Sequence, residues 1–159
     1  MKRGWKFFWM IIAILAVSFL PACGGAGLDE DELEPPTTGG KDTKVEIKVN
    51  LKNDIPSDQL APGTEVYVTL DFYVAGVNSF DYKSNIKITS ETQTFTAVLD
   101  KPMPGKTWNE MLQHEFGVTA NYRFTVGAIG FFGFNPANDQ QQKFDGKPIE
   151  FNFTFVKQQ

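Results

Sequence analysis

Residues that could carry out chemistry are scarce in this chain, which has one cysteine, Cys23, and one histidine, His114. A catalytic triad needs a nucleophile beside a base, and zinc sites usually draw on several histidine or cysteine ligands. Asp139 and Asp145 flank a glutamine-rich stretch but lack the residue order of a calcium loop. We therefore expect a protein that is not an enzyme, with no catalytic residue and no metal site.

The sequence before Cys23 offers an explanation for the lone thiol. Three basic residues, Lys2, Arg3 and Lys6, precede residues 7–20, which are apolar except for one serine. This run is shorter than the roughly 20 residues that span a bilayer as a helix, and it is typical of a secretory signal. Leu20-Pro21-Ala22-Cys23 follows and resembles the lipobox of bacterial lipoproteins. In that family a lipid is attached to the cysteine thiol and the chain is cut before it.

The resemblance implies a destination as well as a modification. Residues 1–22 would be the signal peptide, and the covalent lipid on Cys23 would be the sole cofactor and the link to a membrane. Gly24 stands where aspartate retains many lipoproteins at the inner membrane, which favours the outer membrane. The acidic run at 29–34 is similar to the export tag of surface-exposed lipoproteins, which would place the protein on the exterior of the envelope. It also fits a solvated, self-repelling tether, and both interpretations can hold together.

The charge balance excludes one class of partner. Removing residues 1–22 takes away three of the 15 basic residues and none of the 19 acidic residues, so the mature chain has a net charge of about −7. Such a surface repels phosphate backbones, and we expect no nucleic-acid partner. Glycine, proline and acidic residues dominate 23–42, which we interpret as the lipidated cysteine and a flexible tether before a folded domain at 43–159.

Apolar residues in that domain recur at every second position, which is the period of a strand with one buried face. Three runs are long, and their inward positions are Val45, Ile47, Val49 and Leu51; Val66, Val68, Leu70, Phe72 and Val74; and Ile149, Phe151, Phe153 and Phe155. Residues 85–89 and 92–100 are separated by two residues and predict a tight hairpin. Residues 121–131 predict a further strand, whereas Phe80 and Tyr82 fall in a loop.

One helix is predicted near residues 107–116. Thr107 and Glu110 have the spacing of a capping box, and Gly117 suits the left-handed position after a helix. Six strands and one short helix, without helix–strand alternation, predict an all-β fold. We expect an antiparallel β-sandwich, immunoglobulin-like or transthyretin-like, with a small β-barrel as the alternative.

A glycine-aromatic segment, Gly130-Phe131-Phe132-Gly133-Phe134-Asn135, is the candidate ligand-binding site. Aromatic faces beside amide side chains suit a sugar or a peptide, and the alternative is that these rings close the end of the sandwich. Strand alternation predicts that Phe131 is exposed and that Phe132 and Phe134 point into the core.

Two functional hypotheses follow from these patterns. The first is a non-enzymatic binding module, anchored on the membrane, for an extracellular glycan, a peptide or an envelope protein. The second is a structural subunit of an envelope complex, joined to its neighbours by strand addition at a sheet edge. Solvent-exposed aromatic residues at a loop would favour the first hypothesis, and a long, uncharged, exposed final strand would favour the second.

Overall fold

The computed structural model of the protein describes residues 42–128 and 130–158. Eight strands and two short helical segments make up this part of the chain. The strands are β1 (Val45–Asn53), β2 (Val66–Val74), β3 (Asn78–Lys87), β4 (Gln93–Leu99), β5 (Glu115–Phe124), β6 (Phe132–Asn135), β7 (Asp139–Lys143) and β8 (Ile149–Lys157). A 3-10 turn covers Ser57–Gln59, and the helix α1 covers Trp108–Met111.

The strands form two four-stranded sheets, with the orders β4-β1-β8-β6 and β3-β2-β5-β7. This arrangement confirms the all-β sandwich, and the described strands do not close into a barrel. The expected antiparallel pairing has one exception, because β1 and β8 run parallel. In a constant-type immunoglobulin domain the first two strands pair within one sheet, whereas β1 and β2 lie in opposite sheets here.

The three long strands are confirmed, and their inward residues form the core between the sheets. β1, β2 and β8 alternate buried and more exposed positions along most of their length. Alternate side chains of a strand point to opposite faces, so each of these strands contributes one apolar row to the space between the sheets. The core extends from Val45 to Phe155, and it therefore lies within the domain predicted at 43–159.

The predicted hairpin between residues 85–89 and 92–100 is wrong. β3 pairs with β2 in one sheet, and β4 pairs with β1 in the other. The connection crosses between the sheets because β3 extends one sheet and β4 extends the other, and each strand buries its apolar residues there. Ala97 of β4, for example, pairs with Ile47 of β1. β3 also begins at Asn78, so Phe80 and Tyr82 belong to a strand and not to a loop.

The helix is shorter than the predicted 107–116. The Thr107–Glu110 capping box is confirmed, with Thr107 N–H donating to the Glu110 carboxylate at 2.7 Å. The chain enters β5 at Glu115, and Gly117 lies inside that strand and not at a helix end. A Cβ atom on Gly117 would come within 2.6 Å of the Tyr73 ring, so this glycine is required by a close approach between side chain and backbone.

The strand predicted at 121–131 is displaced, and the segment after it changes sheets. β5 ends at Phe124, seven residues before the predicted end. β6 then pairs with the last part of β8, whereas β7, in the glutamine-rich stretch interpreted as a loop, pairs with the first part of β5. The segment 132–143 thus serves as an edge of one sheet and then of the other. This leaves residues 121–124 of β5 without a neighbour on that side.

The sandwich has two ends that the following sections distinguish. The proximal end contains the starts of β1, β5 and β8, where residues 42–44 enter the domain. The distal end contains the ends of these three strands and the start of β2, because Val66 pairs with Phe124. The loop 125–131 lies at the distal end, on the side of the sandwich opposite the entry of the chain.

Candidate functional site

The loop 125–131, which we call the distal loop, is held by hydrogen bonds at both of its ends. At its start, Thr125 N–H donates to the Glu65 carbonyl at 3.1 Å, and the Glu65 N–H donates to the Thr125 hydroxyl at 2.9 Å. At its end, the Gln158 N–H donates to the Phe131 carbonyl at 2.8 Å. Gly127 and Gly130 have φ values of 151° and 130°, which L side chains rarely adopt. The backbone on either side of the distal loop is therefore fixed by the sheets.

Two large apolar side chains project from this loop into solvent. Phe131 is 82% exposed and Val126 is 68% exposed, the two highest values among the large hydrophobic residues that the structure describes. The Phe131 backbone is hydrogen-bonded, yet its ring contributes little to the core. Large exposed apolar side chains on a single loop make that loop a candidate interaction site.

Phe132 and Phe134 belong to the core and not to the surface. They are 8% and 4% exposed, and their rings lie 6.2 and 5.2 Å from the ring of Phe155. Tyr122 joins this cluster, with its ring 4.6 Å from Phe155 and its hydroxyl donating to the Phe132 carbonyl at 2.7 Å. The expected exposure of Phe131 and burial of Phe132 and Phe134 are confirmed, and the two buried rings cannot form a ligand platform.

Asn135 is exposed, but the structure does not place it beside Phe131. The two residues are four positions apart along an extended segment, which corresponds to about 13 Å. A sugar site needs the aromatic face and the amide within reach of the same ring. The four candidate residues are therefore not brought together, and the exposed part of the predicted site is reduced to the Phe131 ring.

A shallow groove of about 360 Å³ runs beside β6, where residues 121–124 of β5 have no neighbouring strand. Asn121, Asn138 and Gln158 contribute polar groups to its lining. Tyr122 points inward, as strand alternation requires, but its side chain is 39% exposed. No described strand flanks β5 at this position, because β6 belongs to the other sheet. Sequence reasoning missed this groove, since no pattern of residue types marks a strand that changes sheets.

Charged groups near the base of the distal loop are hydrogen-bonded to polar neighbours. Lys87 and the Tyr67 hydroxyl both donate to the Glu65 carboxylate, and together they hold the pKa of Glu65 below its usual range, with Lys87 the larger cause. Lys157 donates to the Gln59 side chain at 2.6 Å. These contacts leave the apolar side chains of Val126 and Phe131 as the prominent features of the loop.

The residues considered for chemistry have other surroundings. His114 is exposed and lies near Gly76 towards the proximal end. The Asp139 carboxylate accepts hydrogen bonds from the Tyr73 hydroxyl at 2.5 Å and from Thr119 at 3.1 Å. Burial, followed by this contact with Asp139, raises the pKa of Tyr73. Both residues that donate to Asp139 come from neighbouring strands, so the carboxylate links β2, β5 and β7.

Cys23, the predicted lipidation site, and nearly all of the predicted tether lie outside the described residues. Within residues 42–128 and 130–158, no helix has the length and hydropathy of a membrane span. In the same ranges, no three histidine, cysteine, aspartate or glutamate residues are grouped so that they could hold a metal ion. No protein-family model matches the chain, and neither a curated protein nor a solved structure shows significant similarity to it.

Proposed function

We propose that this protein is an outer-membrane lipoprotein, anchored through lipid on Cys23, whose β-sandwich binds a partner outside the cell without catalysing a reaction. The lone cysteine after Leu20-Pro21-Ala22 and the signal-like residues 1–20 support the anchor. Attachment of two or more acyl chains gives stable membrane binding, at about 0.8 kcal/mol per buried CH₂ group. The acidic run at 29–34 supports a position facing the exterior.

The observation that carries the binding role is the Phe131 ring, which is 82% exposed on a hydrogen-bonded backbone. An aromatic residue in this position contributes little to stability, and it can bury most of its area only against another molecule. A phenylalanine pays little conformational entropy when it binds, because it has two side-chain torsions. The distal loop is thus suited to present an anchor residue.

An envelope protein or peptide is favoured over a glycan as the partner. Val126 and Phe131 project from the loop, and a projecting apolar pair fits a pocket on another protein. Glycan recognition requires polar groups around the ring, and Asn135 lies about 13 Å from Phe131 along the chain. The glycan hypothesis therefore has less support than the protein hypothesis, and the same experiment separates them.

Replacing Phe131 by alanine is expected to weaken binding of the full-length lipoprotein, in detergent micelles, to immobilised envelope proteins by at least about tenfold. Burying a phenylalanine contributes about 1.5–3 kcal/mol, and each 1.4 kcal/mol corresponds to a tenfold change in affinity. The melting temperature should stay nearly unchanged because the ring has few contacts to lose. Parallel surfaces coated with purified envelope or host glycans report whether the ligand is a glycan instead.

Tyr82→Ala is the matched control, because this ring is also 64% exposed but lies in the middle of β3, away from the distal loop. Binding should survive this substitution. Equal binding by the Phe131→Ala variant and the unsubstituted protein would show that Phe131 of the distal loop does not contact the partner. A fall in melting temperature without a specific loss of binding would show that Phe131 has a structural role.

The second functional hypothesis, assembly by strand addition, does not gain support from the final strand. β8 lies between β1 and β6 in its sheet, and only its first half is open on one side. In this half the Gln140 side chain donates to the Asn152 carbonyl at 2.9 Å and occupies part of the free backbone. The final strand is therefore largely an interior strand, and strand addition would have to use another edge.

A further inference from the structure

Of the four edge strands in the two sheets, three carry features that discourage pairing with another chain. β6 has four residues, and β7 has five residues with a charged residue at each end. β3 contains Asp81, Lys83 and Lys87, two register shifts and a positive φ at Asn85. Short strands, charges and irregular geometry are the means by which proteins protect sheet edges.

β4 lacks all of these protections. Its seven residues, Gln93–Leu99, include no charged residue and no proline, and they pair with β1 in an unbroken register. The outward side chains Thr94, Thr96 and Val98 are exposed, and β-branched residues such as these favour extended structure. β4 is thus a regular edge to which another strand could be added.

The backbone groups that β4 offers to such a strand can be identified. Asp54 N–H donates to the Phe155 carbonyl, so even-numbered residues of β1 direct their peptide groups to β8, and odd-numbered residues direct theirs to β4. The register pairs odd residues of β1 with odd residues of β4. Alternation in an antiparallel ladder therefore directs the N–H and C=O groups of Thr94, Thr96 and Val98 to the free edge.

We propose that two copies of this chain associate through β4, paired antiparallel about a twofold axis at Thr96. In this register Thr96 faces its own copy and Thr94 faces Val98. Glu91 and Lys101 lie in bends just beyond the two ends of β4, and continuing the register by two residues sets Glu91 of each copy opposite Lys101 of the other. Twofold axes at the neighbouring positions, Phe95 or Ala97, would not bring Glu91 and Lys101 together. The uncharged strand and the opposite charges of Glu91 and Lys101 beyond its ends are complementary to a second copy of themselves, and Asp100 faces the uncharged Thr92.

The proposed pairing is compatible with two lipid anchors in one membrane. Antiparallel association places the proximal ends of the two domains at opposite ends of the dimer, because Val45 pairs with Leu99 at one end of β4. A nine-residue strand is about 30 Å long, whereas residues 23–42 can extend to about 65 Å. Both anchors can therefore reach the same bilayer when the strands lie along it. This association is independent of the ligand of the distal loop.

Cysteine cross-linking in membranes of cells that produce the full-length chain tests the pairing. Directly opposed, hydrogen-bonded residues have Cα atoms about 5.5 Å apart, within the range that a disulfide spans. Thr96→Cys should give a covalent dimer on oxidation. Thr94→Cys and Val98→Cys should cross-link when they are produced together, and Thr94→Cys alone should not, because its two copies would lie about 13 Å apart.

Lys83→Cys, on the protected edge β3, is the matched control. The unsubstituted chain is oxidised in parallel, because Cys23 is its only thiol. A covalent dimer of this chain would show that the Cys23 thiol is free and would contradict the lipid anchor rather than the proposed dimer. Glu91→Lys or Lys101→Glu alone should weaken dimerisation about tenfold, and the two together should restore it. The proposal would be overturned if Thr96→Cys cross-linked no more than Lys83→Cys, or if Thr94→Cys alone cross-linked efficiently.

Discussion

Replacing Phe155 by alanine is expected to lower the free energy of unfolding by about 3–5 kcal/mol, the usual range for removing a large aromatic side chain from a core. The Phe155 ring is fully buried and lies within 6.2 Å of four other aromatic rings. The four rings come from β5 and β6, which belong to different sheets, so the cavity left in β8 would loosen contacts in both sheets at the distal end. Chemical denaturation of a chain starting at Thr43 would measure the loss.

This chain should itself unfold cooperatively, because the buried core residues that the structure describes all lie between Val45 and Phe155. Thr154→Ala is the control, since Thr154 neighbours Phe155 but points to the other face of β8. The control should cost less than about 1 kcal/mol. A loss of similar size in both variants would show that the two faces of β8 have been assigned the wrong way round.

Replacing Cys23 by alanine is expected to abolish incorporation of an alkyne-labelled fatty acid and to leave the protein either soluble or unprocessed, with residues 1–22 still attached. Cys23 is the only thiol in the chain, so no other cysteine could accept the lipid. If lipid on Cys23 is the anchor, a processed chain without acyl chains has no stable membrane binding, and its net charge of about −7 gives no attraction to anionic lipids. Labelling and membrane fractionation would be scored in the same cells.

Pro21→Ser serves as the control for that experiment. Pro21 is the residue of Leu20-Pro21-Ala22-Cys23 that departs from the small or hydroxyl residue usual in a lipobox, and serine brings the sequence closer to the family pattern. This variant should be labelled at least as well as the unsubstituted protein. Persistent labelling of the Cys23→Ala variant would show that the fatty acid is attached elsewhere.

The elements that could be predicted from the sequence are those in which one strand face is buried along the whole length. In β8, Ile149, Phe151, Phe153 and Phe155 alternate with polar residues, and each occupies the core. The capping box of α1 could be predicted equally well, because it depends on two residues at a fixed local spacing. Such signals are local, so they do not depend on which strands pair in the folded protein.

Pairing between strands could not be predicted in the same way. The two runs around Ser90 have the spacing of a hairpin, but the first pairs with β2, the strand just before it in the chain, and the second pairs with β1, which is distant in sequence. β7 has no apolar residue, and its side chains are mostly exposed at an edge, so no hydrophobic period marks it as a strand. Tertiary contacts, not local propensity, decide both cases.

The candidate site was predictable in part. Strand parity separates the exposed Phe131 from the buried Phe132 and Phe134, and this separation holds although 125–131 is a loop and not the end of a strand. The groove beside β6 depends on the segment that changes sheets at residues 136–138. No residue type in that segment reveals the crossing.

The central claim is that the mature protein begins at a lipidated Cys23, and mass spectrometry of its amino-terminal peptide tests this claim most directly. The protein would be purified from the membranes of the cells that make it and digested without reduction or alkylation. We predict a peptide that begins at Cys23 and carries the mass of acyl chains on that residue. A mature chain that begins at another residue, or an intact Cys23 without acyl chains, would contradict the account.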